Sequence, residues 1–193
     1  MTLFSGRSLL APMLAFLSIA PAGCGGADDV DGDALADEEE VAAEAAAAAS
    51  RPLMRMPFGC GQTWVADTRS NHSPQWAVDF NRANDFGDTV VASASGEVTR
   101  VDNEGNDSYG RWIEIGHGDG WRTRYAHLSV QSVHVGQKVK MGQKIGEVGS
   151  TGGSTGSHLH YEQLHDGDPV KVILGNAHVK YFETRSYTSH NGC

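Results

Sequence analysis

The chain has little of what several common protein classes need. Its one sustained apolar stretch, residues 9–20 (LLAPMLAFLSIA), has twelve residues, too few to span a bilayer. Cysteine is scarce at three residues, Cys24, Cys60 and Cys193, which allows at most one bridge within the chain. Positive charge is short as well: 15 Lys and Arg stand against 24 Asp and Glu. Without a basic stripe the chain is not expected to bind nucleic acid. The glycine-rich stretch 149–156 lacks the lysine of a phosphate loop, so phosphate binding there is unsupported. Beyond residue 50 no segment sustains a helical period, which argues against a helical architecture.

The ends differ sharply from the rest. Residues 1–24 carry Arg7, the apolar run and then Pro21-Ala22-Gly23-Cys24, the three regions of an export signal. Cleavage after Ala22 and cleavage just before Cys24, as in a bacterial lipoprotein, are both compatible with the residues. Cys24 is therefore a possible lipid anchor, and the expected location is exported, either secreted or membrane-anchored in a bacterial envelope. Residues 25–52 read as an acidic, alanine-rich linker or pro-segment. Nine of the acids lie between Asp28 and Glu44, and Arg7 is the one base before Arg51. Residues 51–193 are left with 15 acids against 14 Lys and Arg, close to neutral. In an oxidising compartment Cys60 and Cys193, at the two ends of residues 53–193, could pair.

Residues 53–193 read as a single all-β domain with a mainly antiparallel sheet. Short runs rich in Val, Ile, Thr and aromatics recur at 76–80, 89–92, 97–101, 112–115, 122–127, 144–148, 159–163 and 170–173, separated by Gly and Asn/Asp turns. Residues 102–106 and 118–120 suit hairpin turns. The echo of Gly136-Gln137-Lys138 in Gly142-Gln143-Lys144 reads as two successive turns. Trp64, Trp76, Trp112 and Trp121 are read as core in preference to a sugar-binding surface.

The stretch GSTGGSTGSHLHYE, residues 149–162, poses a choice. Its Gly152-Gly153-Ser154-Thr155-Gly156 matches the G-x-S-x-G nucleophile elbow, but an elbow leads into a helix, and here the residues that follow read as a strand. In a strand, His158, His160 and Glu162 share one face. Two imidazoles and a carboxylate together suggest a metal site. Glu162 reads as an ordinary strand-edge carboxylate or as a group that orients a ligand imidazole. In WAVDF, Asp79 faces away from the side packed by Trp76, Val78 and Phe80. His72 lies just upstream in a polar loop, and in RYAHL, Tyr125 and His127 fall on one strand face.

Taken together, His72, Asp79, YAHL and HLHYE resemble the lysostaphin, LytM and β-lytic zinc metallopeptidases, which cleave bacterial cell walls. The resemblance covers most of residues 58–180. It implies His72, Asp79 and His160 as ligands of one zinc ion per chain, with a water completing a tetrahedral site. It also implies His127 and His158 as catalytic proton carriers, and Tyr125 as a catalytic group at the developing oxyanion. The commoner family spacing puts the first histidine four residues before the aspartate, where this chain has Gln75. None of the nine histidines is followed by glutamate, so no H-E-x-x-H base is available and a neutral imidazole is the natural candidate. The implied function is hydrolysis of peptide bonds in peptidoglycan by a monomer. The alternative is a non-catalytic wall-binding or hydrolase-regulating module of the same fold. The glycine loop would line one wall of the substrate groove or serve only as a connection.

Overall fold

In the computed structural model, residues 51–193 are described; the expected export signal, Cys24 and the acidic stretch through Ser50 lie outside the described residues. The strands are β1 (Thr63–Asp67), β2 (Val78–Asn81), β3 (Thr89–Val91), β4 (Gly96–Asn103), β5 (Arg111–Gly118), β6 (Trp121–Ala126) and β7 (Val130–Gln131). They continue with β8 (Lys138–Val139), β9 (Lys144–Glu147), β10 (Leu159–His165), β11 (Asp168–Val170), β12 (Ile173–Leu174), β13 (Ala177–His178) and β14 (Thr184–Thr188). No helix occurs among the described residues. The main sheet runs β14-β1-β2-β10-β6-β5-β4-β8, with β11 paired to β10, and a small sheet runs β3-β9-β7. Every named strand pair is antiparallel.

Register separates two faces of the main sheet. Phe80 pairs with Leu159, Val78 with Tyr161, and Tyr161 with Tyr125, which pairs with Ile113. These side chains are fully buried and form one core with Val90 and Ile145 from the small-sheet strands. The alternate residues make a polar row: Asp79 pairs with His160, His160 with Ala126, and Glu162 with Arg124, which pairs with Glu114. One sheet therefore carries apolar packing on one side and chemistry on the other, as a period of two requires.

The predicted hairpins are present. Gly118, Asp119 and Gly120 all have positive φ and connect β5 to β6. The echo at 136–144 is two equivalent turns: Gln137 N donates to His134 O, and Gln143 N to Lys140 O. Each glutamine Oε1 then accepts the backbone N–H at the start of its own turn. The expected run 170–173 is divided between β11 and β12, and β1 and β14 are further strands. Trp64, Trp112 and Trp121 are buried, whereas Trp76, read as core, is half-buried in the loop before β2 against Tyr181 and Phe182. Cys60 and Cys193 form a disulfide with Cα atoms 5.3 Å apart.

Candidate metal centre

Asp79 occupies the middle of the polar face, delivered there by β2, with β10 placing His160 beside it. The loop before β2 brings His72 over the same carboxylate. His72 Nε2 lies 3.2 Å and His160 Nδ1 3.1 Å from Asp79 Oδ1. One nitrogen of each histidine and one carboxylate oxygen, the atoms that could bind a cation, lie within 4.8 Å of one another, although 81 residues separate Asp79 from His160.

The remote nitrogens decide which atoms face inward. His72 Nδ1 donates to Ala77 O at 3.2 Å, and His160 Nε2 donates to Glu162 Oε1 at 3.0 Å. These outward acceptors suit tautomers in which His72 Nε2 and His160 Nδ1 would turn their lone pairs to a bound cation. Burial opposes the charge on Asp79, yet hydrogen bonds from His160 and His72 hold its carboxyl well below the usual range. Two imidazole nitrogens and a carboxylate oxygen converging in this way form a donor set that fits a divalent cation of the zinc type.

Two further histidines stand beside this cluster. The His127 and His158 ring centroids are 4.7 Å apart, and His127 is 5.6 Å from His160. His127 Nδ1 donates to Thr151 O at 2.8 Å, and His158 Nδ1 to Gly156 O at 2.9 Å. His158 Nε2 lies 3.6 Å from Asp79 Oδ1. Burial first, then the neighbouring His158 and His160, pushes His127 down to about 4, so its imidazole is neutral at pH 7. A cavity of about 610 Å³ contains all five groups and is also lined by Arg69, Tyr109, Gly153 and Gly156.

Tyr125 is placed elsewhere. His127 follows the end of β6 with φ 61°, which breaks the strand alternation and turns its ring to the polar side. Tyr125 keeps the strand register and points into the core. Its hydroxyl accepts Ser93 N–H at 2.9 Å and a bond from Thr123 Oγ1 at 2.8 Å. The oxyanion role expected for Tyr125 is corrected accordingly, because a fully buried ring cannot meet substrate in the cavity.

Ser154 lies 3.3 Å from His158 Nδ1, but that nitrogen's proton is directed to Gly156 O, as is the serine hydroxyl at 2.6 Å. With no acceptor nitrogen and no helix after the turn, the serine reading fails. The glycine loop is both wall and packing element. Gly153 and Gly156 line the cavity, while a Cβ on Gly152 would meet Gly110 N at 2.3 Å.

Sequence reasoning missed Arg69, Tyr109 and the polar row behind His160. Arg69 Nη2 donates to Asp79 Oδ2 at 2.5 Å. Glu162, fully buried, receives Arg124 at 3.2 Å, and Arg124 also reaches Glu114 and the Tyr109 hydroxyl, each at 3.0 Å. Burial and the nearby Glu162 push the Tyr109 phenol up to about 12. Glu162 lay on the histidine face in the strand pattern; nothing local pointed to Tyr109.

A family model, Peptidase family M23, matches residues 73–172. The chain belongs to peptidase family M23. The matched stretch begins one residue after His72, so the place of His72 rests on geometry. Over 104 residues this M23 chain is 41% identical to the peptidoglycan DD-endopeptidase ShyA of Vibrio cholerae, covering 54% of this chain and 23% of that one. It is also 41% identical over 117 residues to the DD-carboxypeptidase/endopeptidase Mpg of Neisseria meningitidis, covering 61% of this chain and 25% of that one. The chain thus spans about a quarter of the length of these relatives. Among solved structures, it is similar to a zinc-containing peptidase from Vibrio cholerae, with TM-score 0.53, 32% identity and coverage of 64% of this chain and 41% of that one. The catalytic domain of the prophage-encoded M23 protein EnpA from Enterococcus faecalis gives TM-score 0.53 at 27% identity, covering 62% of this chain and 95% of that one.

Proposed function

We propose that the chain is a zinc-dependent endopeptidase that hydrolyses peptide bonds in bacterial cell-wall peptidoglycan. The observation that carries the reading is the convergence of His72 Nε2 and His160 Nδ1 on Asp79 Oδ1, beside the adjoining rings of His127 and His158. The relatives named for peptidoglycan cleavage supply the substrate class.

His72, Asp79 and His160 would hold the ion. Zinc, when bound, supplies a Lewis acid that polarises a carbonyl and makes water a nucleophile near neutral pH. Glu162 and Ala77 O keep the two ligand rings in the tautomers this needs. His127, neutral at pH 7, can take a proton from the attacking water and return it to the leaving amine, with His158 beside it as the second proton carrier. Arg69 neutralises the outer oxygen of Asp79 while remaining partly in solvent. The glycine wall lets an extended peptide approach without side-chain obstruction.

The test is release of new amino groups from purified peptidoglycan, with chelator and then with zinc restored. Amines that vanish with chelator and return with zinc, with no new reducing sugar ends, are the expected result. A folded, zinc-loaded protein that releases none from several wall types would favour the non-catalytic wall-binding role instead.

A further inference from the structure

A second recess adjoins the metal cavity and shares Asp67 and Arg69 with it. Phe182 stands in this recess, 52% exposed, among Ser70, Asn71 and Glu183. An aromatic ring surrounded by carboxylates, an amide, a hydroxyl and a guanidinium has the composition that sugar rings require. The C–H face of a pyranose packs on the ring, and its hydroxyls and acetamido group find acceptors and donors at the rim.

The turn that carries Phe182 is built to keep the ring outside. Phe182 has φ 62°, an unfavourable conformation for a bulky side chain, which persists only where neighbours over-determine it. Buried Thr68 does so: its hydroxyl donates to Lys180 O at 3.1 Å or Glu183 O at 3.0 Å, and accepts Glu183 N–H at 3.3 Å. Tyr181, the preceding residue, donates its hydroxyl to Trp76 O at 2.8 Å. The Phe182 ring thereby lies 6.0 Å from the half-buried indole of Trp76, tilted by 36°. Trp76 is joined to the metal cluster by its neighbour Ala77, whose carbonyl holds His72. Strain maintained to expose an aromatic ring beside a catalytic cavity is a functional signature.

We infer that this recess, with Phe182 as its platform and Asp67, Asn71 and Glu183 at its rim, is a subsite for an N-acetylhexosamine unit of a glycan strand. The inference rests on the peptidoglycan reading. The subsite would hold the sugar that bears the peptide while the peptide crosses the metal cavity, with Arg69 at the boundary.

The experiment titrates the full, zinc-loaded chain with a β-1,4-linked N-acetylglucosamine tetramer and follows amide and indole resonances. Expected are saturable shifts at the Trp76 indole and at residues 67–71 and 182–184. Phe182→Gly should weaken binding about tenfold, the scale of one lost aromatic contact. Because glycine accepts positive φ without strain, the same variant should melt no lower than the parent. Phe182→Trp should retain binding. The subsite is overturned if no saturable shifts occur, if Phe182→Gly binds as the parent does, or if that variant loses stability, which would make Phe182 a packing residue. It is equally overturned if a glycan-free wall peptide shifts these resonances and the sugar does not. Amine release from the same preparation separates the two readings: cleavage without sugar binding sinks only the subsite, and sugar binding without cleavage sinks only the enzyme.

Discussion

Glu162 and Tyr125 show how burial and hydrogen-bond partners together assign a role. Glu162 touches no solvent, accepts from His160 Nε2 and is in turn paired to Arg124. Replacing Glu162 with Gln should cost about 10–100-fold in zinc affinity, the usual effect of removing a carboxylate behind a ligand imidazole, measured by competition with a chromophoric chelator. An unchanged affinity would show that Ala77 O and Asp79 alone suffice to order the ligands. Tyr125→Phe is expected to act on stability only. It leaves the buried Ser93 N–H without its acceptor, a cost of about 1–3 kcal/mol in a denaturant titration, while the turnover of the folded fraction stays at the parent value. A selective fall in kcat would return Tyr125 to the catalytic set.

At the scale of elements, the end of β6 is where backbone and proton chemistry meet. The φ of 61° at His127 puts its imidazole in the cavity, where burial and two neighbouring histidines lower its pKa to about 4. The unfolded chain takes up this proton near pH 6.5 and the native state does not until about 4. Stability attributable to His127 must therefore fall as pH drops through that interval, by up to roughly 3 kcal/mol. Comparing urea midpoints of parent and His127→Gln between pH 7 and 4 isolates this term; parallel curves would mean that His127 takes up its proton at the same pH in the native and unfolded states. The glycine loop offers a second test. Gly152 has φ 73° and lies against the backbone of Ser108 and Gly110. Gly152→Val must push apart the loops carrying Thr151 and Tyr109, and cleavage of long substrates should weaken; unchanged rates would leave the loop a mere connection.

Across the whole molecule, the Cys60–Cys193 bridge ties the two ends of the described fold together over a separation of 133 residues. Chain-entropy arguments give such a closure about 5 kcal/mol. Reduction should lower the melting temperature markedly without changing zinc affinity, since neither cysteine lines the metal cavity. A loss of zinc on reduction would mean that the ends support the polar face directly.

Much of this architecture was legible beforehand, because a period of two in a strand is a local property. The alternation in WAVDF and HLHYE placed Asp79, His160 and Glu162 on single faces, and the Gly118-Asp119-Gly120 turn marked its hairpin. What the sequence by itself determined was the all-β class, most of the central strands and the faces on which Asp79, His160 and Glu162 lie. Which residues meet was decided only by tertiary structure. The antiparallel pairing of β2 with β10 sets Asp79 opposite His160, a positive φ separates His127 from Tyr125, and the pairing of β10 with β6 and β5 turns Glu162, Arg124 and Glu114 into one row. Those outcomes depend on register between segments up to 81 residues apart, and on one backbone torsion, neither of which is encoded in local periodicity.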